Sequence, residues 1–570
     1  MRKRYMILVF LVVLICTGSM VFAGGAAETK TVSERGHVSV TMPDRGTVPP
    51  DMGTIEDNHW VEWFRRNAPV DVEFVGIPAA NRIEVLNTRF AAGTAPDILY
   101  PGGGAAQEWR VNLKHQGLIQ PIGDAIERWS VEYKEKLENF PIMRTLGNID
   151  GQLYQIGRIN GLSSGYGLII RSDWLENVGL DVPTTAEELF NVARAFTEQD
   201  PNRSGRNDTY GIGMALDTNV IIDTMFQNVM WIEENGRMVK DWDRVIAATE
   251  FKKRLYDAGY TDPDFVTDPN HERTLSDFIT GRVGIIGRQN IPRSQGYHTF
   301  TGLRQNDPDA QILIIPLPRT QFGQFSPSPL GPVVMMGVIN ARKADLEPVI
   351  KFIDFMTDQQ NQLILRHGFE GHHHERNPEN GCFIYDMDVY QHEVAWNSQI
   401  HNLYDRGLEG ECFKYKETLD MSDPLAREWA VLHDMAEDAY VNSPRERPWP
   451  QLLVQMEPLP PNLALQYTNI IEAYEDVWVR AIVGGRNFST ERALTEARRL
   501  WNAGSGPEIE KFYDEWYAEN KDTAFTTTDL IDFAVKVNEY NENNWLADPL
   551  RYRNELPEGW GTPEWWSPSR

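Results

Sequence analysis

The strongest constraint on the fold is the order of short apolar strands and amphipathic helices where the ordered chain begins. Val38-Ser39-Val40-Thr41-Met42 alternates apolar and polar side chains, a helical stretch follows around Trp60 to Asn67, and Val70-Asp71-Val72-Glu73-Phe74-Val75 alternates again. A second helix over about Ala80 to Ala92 stops at Gly93, and Asp97-Ile98-Leu99-Tyr100 reads as the next strand. Strands separated by helices in this way lie parallel, with the helices covering the sheet. Ligands of such sheets bind beyond the carboxyl ends of the strands, and Tyr100-Pro101-Gly102-Gly103-Gly104 leaves one such end.

At 570 residues the chain exceeds what one hydrophobic core supports, so two lobes or more are expected. A second unit begins near Asp150-Gly151-Gln152-Leu153-Tyr154 and continues through the strand Leu168-Ile169-Ile170-Arg171. Thr185 and Glu188 form a capping box, and Leu189, Val192, Ala193 and Phe196 recur at helical spacing up to Asp200. The runs Phe278 to Ile286 and Gln311 to Leu317 read as buried strands, residues 333–339 as another, and Pro348 to Arg366 as one long amphipathic helix. Residues 37–155 with about 333–390 are assigned to a first lobe, and 156–332 with about 391–520 to a second, helix-rich lobe. Residues 521–570, which carry Trp545, Trp560, Trp565 and Trp566, read as an aromatic arm packed on the body.

Residues 1–23 join Arg2-Lys3-Arg4 to an apolar run from Tyr5 to Cys16 and end at Val21-Phe22-Ala23, the pattern of an export signal. The apolar run is shorter than the roughly 20 residues of a membrane span, which places the mature chain in the periplasm or outside the cell. Leu14-Ile15 before Cys16 argues against a lipid anchor, and residues 24–36 read as a flexible leader. Loss of Arg2-Lys3-Arg4 takes the formal charge from −27 to −30, which argues against a nucleic-acid partner. Cys382 and Cys412 remain after maturation, and both a disulfide and two buried thiols are open to them.

The stretch Leu86-Asn87-Thr88-Arg89-Phe90-Ala91-Ala92-Gly93-Thr94-Ala95-Pro96-Asp97-Ile98 resembles the helix-then-strand signature of bacterial extracellular solute-binding proteins, the capture subunits of ABC importers. Asp150-Gly151-Gln152-Leu153-Tyr154, Arg171-Ser172-Asp173-Trp174-Leu175 and Gly368-Phe369-Glu370-Gly371 resemble the large oligosaccharide-binding branch, which includes alginate- and lipoprotein-type sugar binders. The resemblance spans roughly residues 37–520. It implies an α/β, two-lobed periplasmic-binding-protein-like fold with hinge-linked lobes and a ligand cleft between them. It implies a monomer that takes a carbohydrate and delivers it to the transmembrane permease subunits.

In Asp200-Pro201-Asn202-Arg203-Ser204-Gly205-Arg206-Asn207-Asp208, oxygen-bearing side chains occupy positions 1, 3, 5 and 9, with glycine at 6, as in loops that wrap Ca²⁺. The resemblance implies a structural calcium here, held by Asp200, Asn202, Ser204 and Asp208 with the backbone carbonyl of Arg206. Thr209 stands where relatives present glutamate, and position 12 is Gly211, which lowers the ligand charge.

A sugar needs planar polar groups for its hydroxyls and flat aromatics for its apolar faces. Position on strand ends and lobe crossings selects Tyr166, Asp97, Tyr100, Arg288, Gln289, Asn290 and Glu370 as ligand-binding candidates, with Trp60 and Trp396 for stacking. The competing class is a secreted carbohydrate-active enzyme with paired carboxylates, such as a lyase or glycosidase. A third reading keeps the binding fold but presents the sugar to a sensory receptor. Gly161-Leu162-Ser163-Ser164-Gly165 matches a nucleophile elbow, yet a strand follows where the elbow needs a helix. His372-His373-His374-Glu375 is expected to be an exposed polar turn, because adjacent histidines on a strand point to opposite faces and chelate poorly.

Overall fold

The computed structural model describes residues 35–101, 106–160, 165–327, 333–405, 408, 412, 414–442, 446–447 and 459–522. In the tail it describes 524, 529, 532–533, 536–537, 539–540 and 562–566. The export signal, residues 24–34 of the leader, Gly102 to Gly104, Gly161 to Ser164, Trp545 and Trp560 lie outside the described residues.

The first strands are β1 (His37–Asp44), β2 (Asp71–Pro78) and β3 (Ile98–Leu99), followed by the short hairpin of β4 (Asn148–Ile149) and β5 (Gln152–Leu153). Next come β6 (Gln155–Ile159), β7 (Tyr166–Arg171) and β8 (Tyr210–Gly213), then the ribbon of β9 (Trp231–Glu234) and β10 (Arg237–Lys240). The series closes with β11 (Val283–Gln289), β12 (Ile312–Ile315), β13 (Val333–Ile339) and the ribbon of β14 (His374–Arg376) and β15 (Phe383–Tyr385).

Two main sheets result, ordered β2-β1-β3-β13-β6 and β12-β7-β11-β8. In the first, β1 pairs in parallel with β2 and β3, as the strand–helix rhythm requires, while β13 runs antiparallel to both β3 and β6. In the second, β8 and β11 are parallel, and β7 opposes both β11 and β12. Leu168, Ile169 and Ile170 are all buried because helices cover both faces of this sheet, which turns alternation into a continuous apolar run.

The chain crosses between the sheets from β6 to β7 and returns from β12 to β13. Given the pairings, both connections run between the carboxyl edge of one sheet and the carboxyl edge of the other. The two edges therefore face each other across the cleft of a two-lobed, periplasmic-binding-protein-like fold.

Several elements differ from expectation. Phe278 and Ile279 end the helix Glu272–Ile279, and the strand starts only at Val283 after a turn with Gly281 at φ +74°. The single helix expected from Pro348 to Arg366 breaks at Asp358 into Glu347–Thr357 and Gln359–His367, and the Asp358 side chain caps the second piece at Asn361 N. The first core extends beyond its expected limits: β6 stays in the first sheet through Ile159, and Val394, Trp396, Ile400, Leu403, Leu408 and Cys412 pack with that core. Cys382 and Cys412 are joined by a disulfide. The tail contributes Phe533, Val537 and Trp566 to the same core. Among the described residues no helix is long and apolar enough to cross a membrane.

Candidate functional site

The second sheet supplies the most coherent polar group at the facing edges. Tyr166 begins β7 and pairs with Gln289 at the end of β11, whose amide Nε2 donates to Tyr166 Oη at 3.4 Å. Asp217 opens the helix Leu216–Met225 just after β8, accepts the Gln289 backbone N–H at 3.0 Å and pairs with Arg288 Nη1 at 3.4 Å. Burial, and then the Asp217 charge, raises the Tyr166 phenol above its ordinary pKa, so this half-buried hydroxyl stays protonated and able to donate. Asn290 turns the chain with φ +53°, its N–H donating to Gly165 O at 3.0 Å. Tyr166, Gln289 and Asn290 thus meet where β7 begins and β11 ends, with Arg288 turned to Asp217 beside them.

Gly287 is what lets this edge close. A Cβ there would lie 2.6 Å from the Thr218 Cα, and the Gly287 N–H donates to Thr218 Oγ1 at 2.7 Å. Asp217 and Thr218 were missed at the sequence level, although Met214-Ala215-Leu216-Asp217-Thr218 follows a strand and the same carboxyl-end rule would have found them. Beneath them His271 is buried with φ +64°, and neither of its ring nitrogens has a hydrogen-bond partner among the described residues. Burial, opposed by Asp217, lowers its pKa, so the ring is neutral.

The first-sheet candidates divide. Asp97 precedes β3 and so sits at the amino edge, away from the cleft; its Oδ2 accepts the Ser39 N–H at 2.9 Å and pairs with Lys343 at 3.3 Å. Tyr100 does follow β3 at the carboxyl edge, but its ring is buried against Gly337, where an added Cβ would lie 2.7 Å away. Trp60 offers no stacking face: it is buried between Phe369, 6.0 Å away and stacked, and Trp566 at 4.9 Å, and its indole N–H donates to Glu393 O. Trp396 is likewise buried, its N–H donating to His392 O at 2.9 Å. Glu370 pairs with Arg376 at 3.5 Å within the turn that leads into β14.

The Asp200 loop enters β8 at its amino end, so it lies at the opposite edge of the second sheet from Tyr166. Positive φ at Asp200 and Gly205 curls the loop, and its oxygens converge. Asp200 Oδ1 accepts from Ser204 N at 2.9 Å, Asp200 Oδ2 from Gly205 N at 2.9 Å, and Asp208 Oδ1 from Ser204 Oγ at 3.0 Å and Asn202 Nδ2 at 3.2 Å. An all-oxygen set of this kind fits a hard cation. Positions 209 and 211 cannot enlarge it: Thr209 is buried and donates to Phe196 O at 2.7 Å, and a Cβ on Gly211 would meet Ala193 O at 2.0 Å.

The histidine run is a buried junction, which corrects the expectation of an exposed turn. His372 Nε2 and His373 Nε2 reach Glu393 Oε2 at 2.9 and 3.2 Å, and the Trp566 indole N–H donates to the same oxygen at 2.8 Å. The Phe369 N–H donates to His373 Nδ1 at 2.8 Å, which places the His373 proton on Nε2, facing Glu393. With both ring nitrogens of His373 so committed, the trio forms a hydrogen-bonded latch. Burial pushes the Glu393 carboxyl up, but the bonds from His373, Trp566 and His372 outweigh it and hold the group down at about 2.

Residues 53–363 match the family model described as bacterial extracellular solute-binding protein, and the chain belongs to that family. It is 25% identical over 476 residues to the Bacillus subtilis polygalacturonan/rhamnogalacturonan-binding protein YtcQ, covering 80% of this chain and 86% of that one. It is 28% identical over 399 residues to the Bacillus subtilis lipoprotein LipO, covering 66% of this chain and 73% of that one. Among solved structures, alginate-binding protein AlgQ2 without calcium ion matches at TM-score 0.60 and 17% identity, over 84% of this chain and 97% of that one. The Streptococcus pneumoniae substrate-binding protein FusA, an EF-hand mutant in complex with fructo-nystose, matches at TM-score 0.60 and 16% identity, over 85% and 100%. These last two likenesses concern the fold.

Proposed function

We propose that this chain is the exported substrate-binding subunit of an ABC importer that captures an oligosaccharide by cleft closure and hands it to a membrane permease. The observation that carries the reading is the meeting of Tyr166, Arg288 and Gln289 with Asp217 at a carboxyl edge that faces its counterpart across two crossing segments. Phenol, amide, guanidinium and carboxylate are the groups that pair with sugar hydroxyls, and the Tyr166 ring adds a flat face. The family, and relatives whose names record polygalacturonan or fructooligosaccharide binding, support it. Capture needs no reacting group, and a family of solute-binding proteins supports a reading without catalysis.

Residues 37–155 with about 333–390, and 156–332 with about 391–520, move as lobes in this reading, except that Val394, Trp396, Ile400, Leu403, Leu408 and Cys412 pack with the first. The Asp200 loop holds Ca²⁺ through Asp200, Asn202, Ser204 and Asp208 and the Arg206 carbonyl, bracing the second lobe at the edge remote from the sugar. Thermal-shift measurements on the mature protein against a glycan panel test the function, because a ligand raises stability by RT ln(1 + [L]/Kd). A shift of several degrees with at least one oligosaccharide is expected. Glycan cleavage without any such shift would instead identify a carbohydrate-active enzyme.

A further inference from the structure

Cys382 and Cys412 sit where the chain leaves the first lobe for the second. Cys382 immediately precedes β15, and both residues are buried in the first core and joined to each other. Two residues beyond Cys412 the chain is already bonded to the other lobe. Lys414 Nζ pairs with Glu437 Oε2 at 3.0 Å and Lys416 Nζ with Asp434 Oδ1 at 2.5 Å, both carboxylates lying on the helix Pro424–Tyr440. That helix belongs to the second lobe: its Trp429, Leu432 and Ala436 are part of the second core, and its Tyr440 hydroxyl accepts the Leu168 N–H of β7 at 2.9 Å. Tyr415 adds a ring contact at 5.8 Å with Tyr297, which packs on the same core.

The short turn Tyr415–Thr418 also faces back to the first lobe. Glu417 Oε2 accepts from Asn380 Nδ2 at 2.7 Å, while Asn380 Oδ1 accepts the Cys382 N–H at 2.9 Å. Residues 412 and 417 are thus held by the first lobe, and 414, 415 and 416 between them by the second. A hinge needs a few residues whose φ and ψ change as the lobes turn. The interleaved bonds deny that freedom to residues 414–417. Ion pairs and single hydrogen bonds near the surface hold such a stretch only weakly, whereas a covalent crosslink does not open.

We propose that the segment from Cys412 to Thr418 is a clasp that limits how far the two lobes open, with the Cys382–Cys412 bond as its fixed end. The inference rests on the cleft-closure reading above, but its test needs no ligand. A protein held near closure has less conformational freedom to lose when its ligand arrives, so the clasp raises affinity without touching the ligand.

X-ray scattering and amide hydrogen exchange on the ligand-free mature protein test this, comparing wild type with Cys382→Ser and Cys412→Ser made together, with Asn380→Ala and with Trp566→Ala. The double cysteine variant is expected to show a larger radius of gyration than wild type, and amide exchange in residues 414–419 about tenfold or more faster. Asn380→Ala keeps the crosslink and should show both changes to a smaller degree, which reads the clasp even where the double variant does not fold. Trp566→Ala weakens the first core away from the clasp, so both readouts should stay near wild type despite its lower stability. Unchanged scattering and exchange in the double variant would overturn the clasp; where that variant does not fold, the same result in Asn380→Ala would do so. An equal change in Trp566→Ala would also overturn it, because general loosening of the core would then be the cause. If no glycan shifts the melting temperature, sugar capture falls while the scattering comparison still decides the clasp.

Discussion

The Asp200 loop and the Glu393 junction are both clusters of polar oxygens and nitrogens, but they are built in opposite ways. The loop draws its groups from nine consecutive residues, is largely solvent-exposed, and satisfies itself through short-range bonds such as Ser204 N to Asp200 Oδ1. The junction draws on residues 59–60, 369–373, 393 and 566, and its carboxylate is 4% exposed. Local clusters cost little chain entropy and contribute little to the whole. Long-range clusters bind distant segments together, so their loss is felt throughout the core.

The largest effect should therefore come from Trp566→Ala, which empties a socket formed by His59, Trp60, Phe369 and His373 and removes one donor from Glu393. Loss of a buried tryptophan costs about 3–5 kcal/mol, read as a fall in urea midpoint. Retention of wild-type stability would mean that the tail merely rests on the surface.

Acid should act on the junction next. The folded carboxyl of Glu393 titrates at about 2, below its ordinary value of 4.5, so its stabilisation is present above about pH 4.5 and is lost as pH falls toward 2. The whole shift corresponds to on the order of 3 kcal/mol. Glu393→Gln should flatten that part of the stability profile, measured by denaturant unfolding between pH 2 and 5, and an unchanged profile would assign the acid loss elsewhere.

Tyr166→Ala sharpens the contrast from the side of function. Its ring is half-buried, so stability should change by about 1 kcal/mol while affinity for the bound sugar falls by about 1–3 kcal/mol, read by calorimetry. The smallest effect should follow Asp208→Ala measured in chelator, about 1 kcal/mol or less because the loop's bonds are exposed and redundant. With Ca²⁺ present, the wild-type melting temperature should rise and that of the variant should not. Equal responses of the two proteins would detach the loop from metal binding.

The parallel pairing of β1 with β2 and β3, the capping box at Thr185 and Glu188, and the meeting of Tyr166 with Arg288, Gln289 and Asn290 were legible because each depends on local periodicity or on a strand end. Asp97 and Tyr100 show the limit. Three residues apart, they fall on opposite edges of a strand only two residues long, and one end is capped by Ser39 while the other is buried. The break at Asp358 was also hidden, since Pro348 to Arg366 keeps its apolar periodicity on both sides of it.

What the sequence by itself determined was the alternation of elements, the family signature and the oxygen-rich loop, all properties of neighbouring residues. The tertiary structure alone decided that Trp60 and Trp396 are core and that His372 and His373 converge on the carboxylate of Glu393. The reason is physical: a side chain's pKa, exposure and partners are set by what packs against it. In this molecule those neighbours come from segments as far apart as residues 60 and 566.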